Sequence, residues 1–295
     1  MVSTKSKIAQ VFLNIALIAL CALILYPFVL VVSASLSSEA DLVEYGYQLL
    51  PKKIDLSAYN YVFNNPQQVI QAYKITAIFS FSFMFLSVLL MAGLAYLLSK
   101  RGLVGKRFIS LYIYFTTLFS GGLVPSYILN TQYLHLDDTI WIYIIPGLVS
   151  PFYVFMMRSF FQEIPYEITE SAVIDGANEY TIFFKMILPL SKPVLAAVAL
   201  FMFLAKWNDW MTSMLYINDE NLISLQYMLQ RIMENIKLLQ NQSQDLGFNI
   251  LAADEIPAET ARMAMAIVVA GPALIIFPFF QKYFVKGLTV GSVKG

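Results

Sequence analysis

A bilayer core about 30 Å thick is crossed by roughly 20 consecutive, mostly apolar helical residues. This 295-residue sequence holds six windows of that kind, at about 8–33, 69–98, 108–129, 140–157, 193–217 and 262–284. Hydrocarbon offers no partner to a free backbone N–H or C=O, so long apolar windows are read as helices. Composition agrees, with 59% hydrophobic and 13% charged residues, where soluble domains carry roughly 45–50% and about 25%. The expected fold class is an all-α integral membrane protein with six transmembrane helices. No linker, low-complexity tract or internal repeat divides it, so 1–295 reads as one transmembrane domain.

The first window follows Lys5 and Lys7 and is trailed by small residues, Ser33-Ala34-Ser35, as a signal peptide would be. Its apolar run of some 25 residues exceeds the roughly 7–15 of a signal-peptide core, so it is expected to be a retained span, kinked at Pro27. Basic residues near span ends set orientation. Lys5, Lys7, Lys100, Arg101, Lys106, Arg107, Arg158, Lys185, Lys192, Lys282, Lys286 and Lys294 fall on one side if there are six spans, against mainly Lys52, Lys53, Arg231 and Lys237 on the other. Both termini are therefore expected in the cytoplasm, with 36–68, 130–139 and 218–261 outside. Within the last of these, Leu225 to Leu239 has a helical apolar stripe, and Asn241 to Asp245 reads as loop.

Several function classes are excluded. The 19 basic and 19 acidic residues cancel, leaving no global field for nucleic acid. One external histidine, His135, and one buried cysteine, Cys21, supply neither a zinc site nor a nucleophile and base. No metal site and no catalytic residue is expected. A phosphate-cradling Gly-x-x-x-x-Gly-Lys-Ser/Thr run is missing too: Gly105-Lys106 is followed by Arg107 and has Lys100 five residues before Gly105. This chain is expected to bind no cofactor.

The chemistry-bearing segment is the cytoplasmic loop 161–192. Pro165 suits a helix start and Glu167 complements the positive end of the helix dipole. Gly176 can take the left-handed conformation that ends that helix. Asn178 can cap a second helix whose face carries Ile182, Phe183, Met186 and Ile187 until Pro189 stops it. Small residues around the turn, Ser171, Ala172, Gly176 and Ala177, permit close approach of another surface. Two readings fit: an amphipathic loop lying on lipid headgroups, or a docking element in which Glu170 or Asp175 meets a basic partner.

The run Glu170-Ser171-Ala172, Asp175-Gly176-Ala177, Phe183, Ile187-Leu188-Pro189 and Lys192-Pro193 resembles the EAA loop of ABC-importer permeases, with Ser171 standing where the pattern has Ala. Phe277 to Gly287 and the ending Gly291-Ser292-Val293-Lys294-Gly295 are similar to the closing segment of carbohydrate-uptake permeases, the group that includes the maltose system's second membrane subunit. Ser120 to Pro125 and Leu222-Ile223-Ser224-Leu225-Gln226 resemble its polysaccharide and oligosaccharide branch, with Ser224 in place of an expected proline.

The resemblance implies one of two homologous permease subunits in a type I importer of the bacterial plasma membrane. ATP and Mg would be used by a separate cytoplasmic ATPase dimer, and an extracellular solute-binding protein would deliver a sugar or oligosaccharide. Carried onto this sequence, Glu170, Ser171, Ala172, Asp175, Gly176, Ala177 and Phe183 form the ATPase-coupling element. For the substrate path the fifth window offers Lys206-Trp207-Asn208-Asp209-Trp210. Lys206 and Asp209 are spaced to pair, and Trp207 and Trp210 either stack on sugar rings or anchor and pack the helix. The same machinery with a non-sugar cargo, or an ATP-independent secondary transporter, are the alternatives. The second predicts a repeat with broken helices and midplane acids, and no repeat is found.

Overall fold

The computed structural model describes the backbone of residues 4–245 and 257–291, and the side chains of 10–238 and 257–282. The ending after Gly291 and the side chains of Lys5, Lys7, Lys286 and Lys294 lie outside the described residues. All regular structure within them is helical, as expected. In chain order come α1 (Thr4–Ser35), α2 (Glu39–Tyr45), α3 (Ser57–Val62), α4 (Pro66–Ser99), α5 (Lys106–Leu118) and α6 (Leu123–Ile128). Then follow α7 (Trp141–Ile144), α8 (Pro151–Gln162), α9 (Tyr166–Ile174), α10 (Glu179–Ile182), α11 (Leu188–Leu190) and α12 (Lys192–Trp207). The last are α13 (Met211–Tyr216), α14 (Leu225–Asp245) and α15 (Ala258–Gly291).

Three of the six windows are single helices long and apolar enough to cross a membrane, in α1, α4 and α15. The helix α1 runs on through Pro27, and no residue of its most apolar stretch is buried within the chain. Cys21 accordingly lies exposed rather than buried. The other three windows are interrupted, each at a backbone feature. The window 108–129 is not one helix. After α5 the chain bends by 114° into α6 and the π turn Leu129–Tyr133. Gly122 there has φ 86°, open chiefly to glycine, and the ring of Pro125 would clash with the carbonyl four residues back if α5 continued. The window 140–157 splits into α7 and α8 around Pro146-Gly147, with Gly147 at φ 81°. The window 193–217 splits into α12 and α13 at Asn208–Trp210, while α12 is also joined, at 82°, to the apolar segment Glu179–Leu190. Counting each bent pair as one span gives five. One further correction concerns Asn241 to Asp245: it is the last turn of α14 and not loop, because its Gln-rich sequence contains no glycine or proline to stop a helix.

The chain divides into two compact units. The first comprises Met1–Pro66 and Leu229–Pro272. Its joints are polar. Ser35 Oγ and Tyr59 Oη lie 2.9 Å apart, Ser38 caps α2 through the Asp41 N–H at 3.2 Å, and Glu39 caps α15 from a distance. Glu39 Oε1 accepts from the Glu259 N–H at 3.0 Å, and Oε2 from the Thr260 N–H and hydroxyl at 2.9 and 2.8 Å. The first turn of a helix has unpaired N–H donors and a positive dipole end, and a carboxylate answers both.

The second unit comprises Gln67–Met228 and Ala273–Gly295. Its core is built from the second half of α4, from α5, α8 and α12, and from the loop 161–192, through residues such as Met91, Leu98, Val154, Met157, Ala172, Phe183 and Val198. The four phenylalanines Phe79, Phe81, Phe83 and Phe85 divide by helical period: Phe79 and Phe83 are buried, Phe81 and Phe85 exposed.

The three hydrogen bonds to Glu39 generate a prediction. Glu39→Ala leaves buried Thr260 and two N–H donors of α15 unanswered, and is expected to destabilise the first unit by about 1–3 kcal/mol. Limited proteolysis within 36–66, compared between wild type and variant in the same bilayer, reads it as faster cleavage.

Candidate functional site

Each turn of the loop 161–192 forms for the reason its sequence suggests. Pro165 precedes α9 with φ −53° and ψ 130°. Gly176 has φ 80°, and the Ala177 N–H closes the turn on the Ala172 carbonyl at 2.9 Å. Asn178 caps α10, its side chain accepting from the Thr181 N–H at 2.8 Å. Pro189 does not stop the second helix outright. It sits in α11, and the π turn Phe183–Ile187 comes just before it. Pro189 has no N–H to give and its ring crowds the Lys185 carbonyl, so one widened turn accommodates it. The chain then bends at Ser191 into α12.

The coupling residues proposed from the sequence divide into two groups. Glu170, Ser171, Asp175 and Gly176 are exposed, Ala177 is half-buried, and Ala172 and Phe183 are buried in the core of the second unit. The last two therefore seat the loop and do not present it. A set that the residue pattern left out does present it: Val173, Ile174 and Tyr180 are 58%, 80% and 77% exposed around the same turn. Their signal was their position, since on a helix the neighbours of inward-facing Ala172 point outward. The buried face of the second helix, Ile182, Phe183 and Ile187, is as expected, with Met186 partly buried against it.

The base of the loop is tied electrostatically to the end of α4. Glu179 Oε2 pairs with the Lys100 ammonium and accepts from Tyr96 Oη at 2.7 Å. These two donors, Lys100 first, hold the Glu179 carboxyl below its ordinary pKa. The tie is thus present at neutral pH and loosens as acid protonates the carboxyl. Arg101 lies over the Tyr166 ring, 4.9 Å from its centre.

At the break between α12 and α13 the second candidate set comes together. Lys206 Nζ and Asp209 Oδ2 are 3.1 Å apart, with side chains 13% and 16% exposed. The same carboxylate caps α13 through the Thr212 N–H at 3.0 Å and hydroxyl at 2.7 Å. Trp207 is buried, stacked on Phe203 at 5.4 Å and near Tyr73 at 6.5 Å, so its ring serves packing. Trp210 keeps 36% of its surface exposed, and exposed Asn208 accepts from Gln226 Nε2 at 3.2 Å. Behind the break lies a buried polar knot. Tyr143 Oη bonds Ser213 Oγ and the Leu222 carbonyl, and Ser213 Oγ accepts from the Ser224 N–H at 2.9 Å. Ser224 replaces the expected proline, and proline has no N–H to make that bond.

Two further charged residues stand out. Asp138 Oδ1 accepts from the Asn218 and Asp219 N–H groups at 2.9 and 2.8 Å, pinning the loop beside exposed His135 to the end of α13. Lys74 is exposed on the stripe Ile70, Lys74, Ile78, Phe81 and Phe85 of α4, with no hydrogen bond or ion pair among the described residues. Its signal was its charge inside an apolar window.

Asp209→Asn removes the partner of a largely buried ammonium and weakens a helix cap, and is expected to cost about 3–5 kcal/mol. Lys206→Met with Asp209→Asn together should cost less than Asp209→Asn alone. Thermal unfolding of the wild type and the two variants, purified in one detergent, checks the order.

With this geometry in hand, comparison with known proteins is informative. Residues 56–290 match the family described as binding-protein-dependent transport system inner membrane component. The chain is 34% identical, over 99% of its length and 100% of the relative's, to the polygalacturonan/rhamnogalacturonan transport system permease protein YtcP of Bacillus subtilis. It is 28% identical, over 98% of both chains, to the arabinooligosaccharides transport system permease protein AraQ of Halalkalibacterium halodurans. A chain from the crystal structure of a bacterial ABC transporter involved in import of the acidic polysaccharide alginate superposes with a TM-score of 0.78 at 28% identity, covering 96% of this chain and 99% of that one. A membrane-spanning helical chain whose loop 161–192 is seated in the core of its spans thus belongs to the family of inner-membrane permease components of binding-protein-dependent ABC transport systems.

Proposed function

We propose that this chain is the permease subunit of an importer that moves an oligosaccharide into the bacterial cytoplasm by alternating access. A separate ATPase dimer, using ATP and Mg, supplies the energy through the loop around Glu170 and Gly176. A second homologous permease completes the pathway, and an extracellular binding protein loads it. In this reading α1, α4, α5–α6, α7–α8, α12–α13 and α15 make six spans with both termini in the cytoplasm, and the chain itself performs no catalysis. The observation that carries the reading is the loop's division of surface: an exposed tip at Val173 to Gly176 above a base buried among the spans. A force on that tip moves the spans as one body, which is what rigid-body alternating access requires.

The oligosaccharide assignment rests on the relatives named for polygalacturonan, rhamnogalacturonan and arabinooligosaccharide transport and on the alginate importer. Three of these four cargoes, all but the arabinooligosaccharide, contain acidic sugars. An ammonium facing lipid costs about 2.5–3.5 kcal/mol even on insertion scales, so unpaired Lys74 suits a watery path that receives a sugar carboxylate. Trp210 and Asn208 would line that path, with Lys206 and Asp209 holding the helix break in shape.

Gly176→Trp tests the coupling assignment. A non-glycine residue at φ 80° is strained by roughly 1–2 kcal/mol, and the indole would protrude from the docking tip, since nothing lies near a Cβ at that position. The tagged wild-type chain is expected to co-purify an ATPase and a second permease. The variant should insert normally, lose the ATPase and lose uptake; normal ATP-driven uptake by Gly176→Trp would sink the docking assignment.

Lys74→Gln tests the cargo. It is expected to raise the KM for an oligogalacturonide about tenfold, the worth of one charge-assisted hydrogen bond, and to leave a neutral oligosaccharide of the same length unaffected. Competition uptake in whole cells measures the ratio.

A further inference from the structure

Beside the Glu179 tie lies a cavity of about 410 Å³ between the end of α4, the turn 100–106 and α9. Its walls carry three cations, Lys100, Arg101 and Lys106, against the single carboxylate of Glu179. Glu179 is already shared between Lys100 and Tyr96. Among the described residues Lys106 reaches only a neutral acceptor, the Lys100 carbonyl at 3.1 Å, and Arg101 only the face of Tyr166. Two positive charges thus stand in a polar cleft whose one carboxylate is already paired with a third. The amide of Gln162 adds a neutral donor, while the wall hydroxyls of Ser99 and Thr169 already donate to the Tyr96 and Tyr166 carbonyls at 2.7 and 2.8 Å.

We propose that this cavity binds a phosphate group, joining the α4–α5 turn to the coupling helix α9. A guanidinium and an ammonium are the fork and point donors that tetrahedral phosphate oxygens take, and a phosphate's charge balances the surplus. The ligand bridges the turn that ends one span to the helix that meets the ATPase, so its occupancy stiffens the coupling element. Two sources carry this chemistry, an anionic lipid headgroup and a free phosphate compound. The first is served by the neighbouring loop tip, where Val104 is 94% exposed beside Arg101, Lys106 and Arg107 and suits the membrane surface.

The test uses the assembled importer in nanodiscs, with the unfolding midpoint as the readout, so it needs no transport activity. In phosphatidylcholine discs, sodium phosphate is compared with sodium chloride at equal ionic strength. In a second arm, discs containing phosphatidylglycerol are compared with phosphatidylcholine alone. A ligand at a hundredfold excess over its Kd is expected to raise the midpoint of this chain by up to about 4 °C. A response in the second arm alone assigns the lipid, and one in the first assigns the free anion. Arg101→Gln with Lys106→Gln should abolish the response, and so should Thr169→Glu, which places a repelling carboxylate in the wall without removing a cation. Arg107→Gln, outside the cavity wall, should retain it. No wild-type response in either arm, or an undiminished response in Thr169→Glu, overturns the proposal.

Discussion

The second unit depends on one piece of apolar burial: Ala172, Ile182, Phe183 and Ile187 of the loop enter the same core as Met91, Leu98, Met157 and Val198 of the helices around it. Close-packed interiors resist compression and transmit displacement. A loop attached only through its ends would swing when pushed; one whose base is interlocked with span side chains carries the spans along. The turn at Gly176 and the cap at Asn178 shape the tip, and the buried base ties it to the helices around it. The Glu179 tie reinforces the attachment from the side, adding direction more than strength, since its carboxylate is largely exposed.

At the α12–α13 break the same unit solves a different problem. Interrupting a helix frees backbone donors and acceptors, and within a membrane these need partners. Asp209 answers at the start of α13, Ser213 and Tyr143 answer behind it, and Ser224 brings in the beginning of α14, whose Leu225 N–H reaches Thr76 of α4 at 2.9 Å. The ion pair of Lys206 and Asp209 belongs to this scaffold. It fixes where Asn208 and Trp210 stand at the break.

Much of this was legible because it rests on local chemistry. Three windows became single long helices because length and apolarity suffice for a span, and the loop followed its caps because Asn178 and Gly176 act on their own neighbours. The breaks at Gly122, Gly147 and Asn208 were hidden because a hydropathy window averages over twenty residues and one left-handed glycine changes that average little. Which side of α9 faces inward was hidden as well. Small residues suit both a docking face and a tight seat, and the pattern alone does not say that Ala172 is buried while Ile174 is exposed. Lys74 lies inside the window 69–98, where a single charge carries more information than several beside a span.

The carboxylate of Glu39 and the α15 backbone it caps are 220 residues apart in sequence. At a synthesis rate of about 5–20 residues per second, the acid emerges some 10–40 s before its partner exists. Throughout that interval the N-terminal unit has its two short helices, α2 and α3, and none of its final clasp. The segment around Glu39 therefore reaches its finished state only with the last helix, and a chain stalled before Glu259 leaves that acid without these three hydrogen bonds.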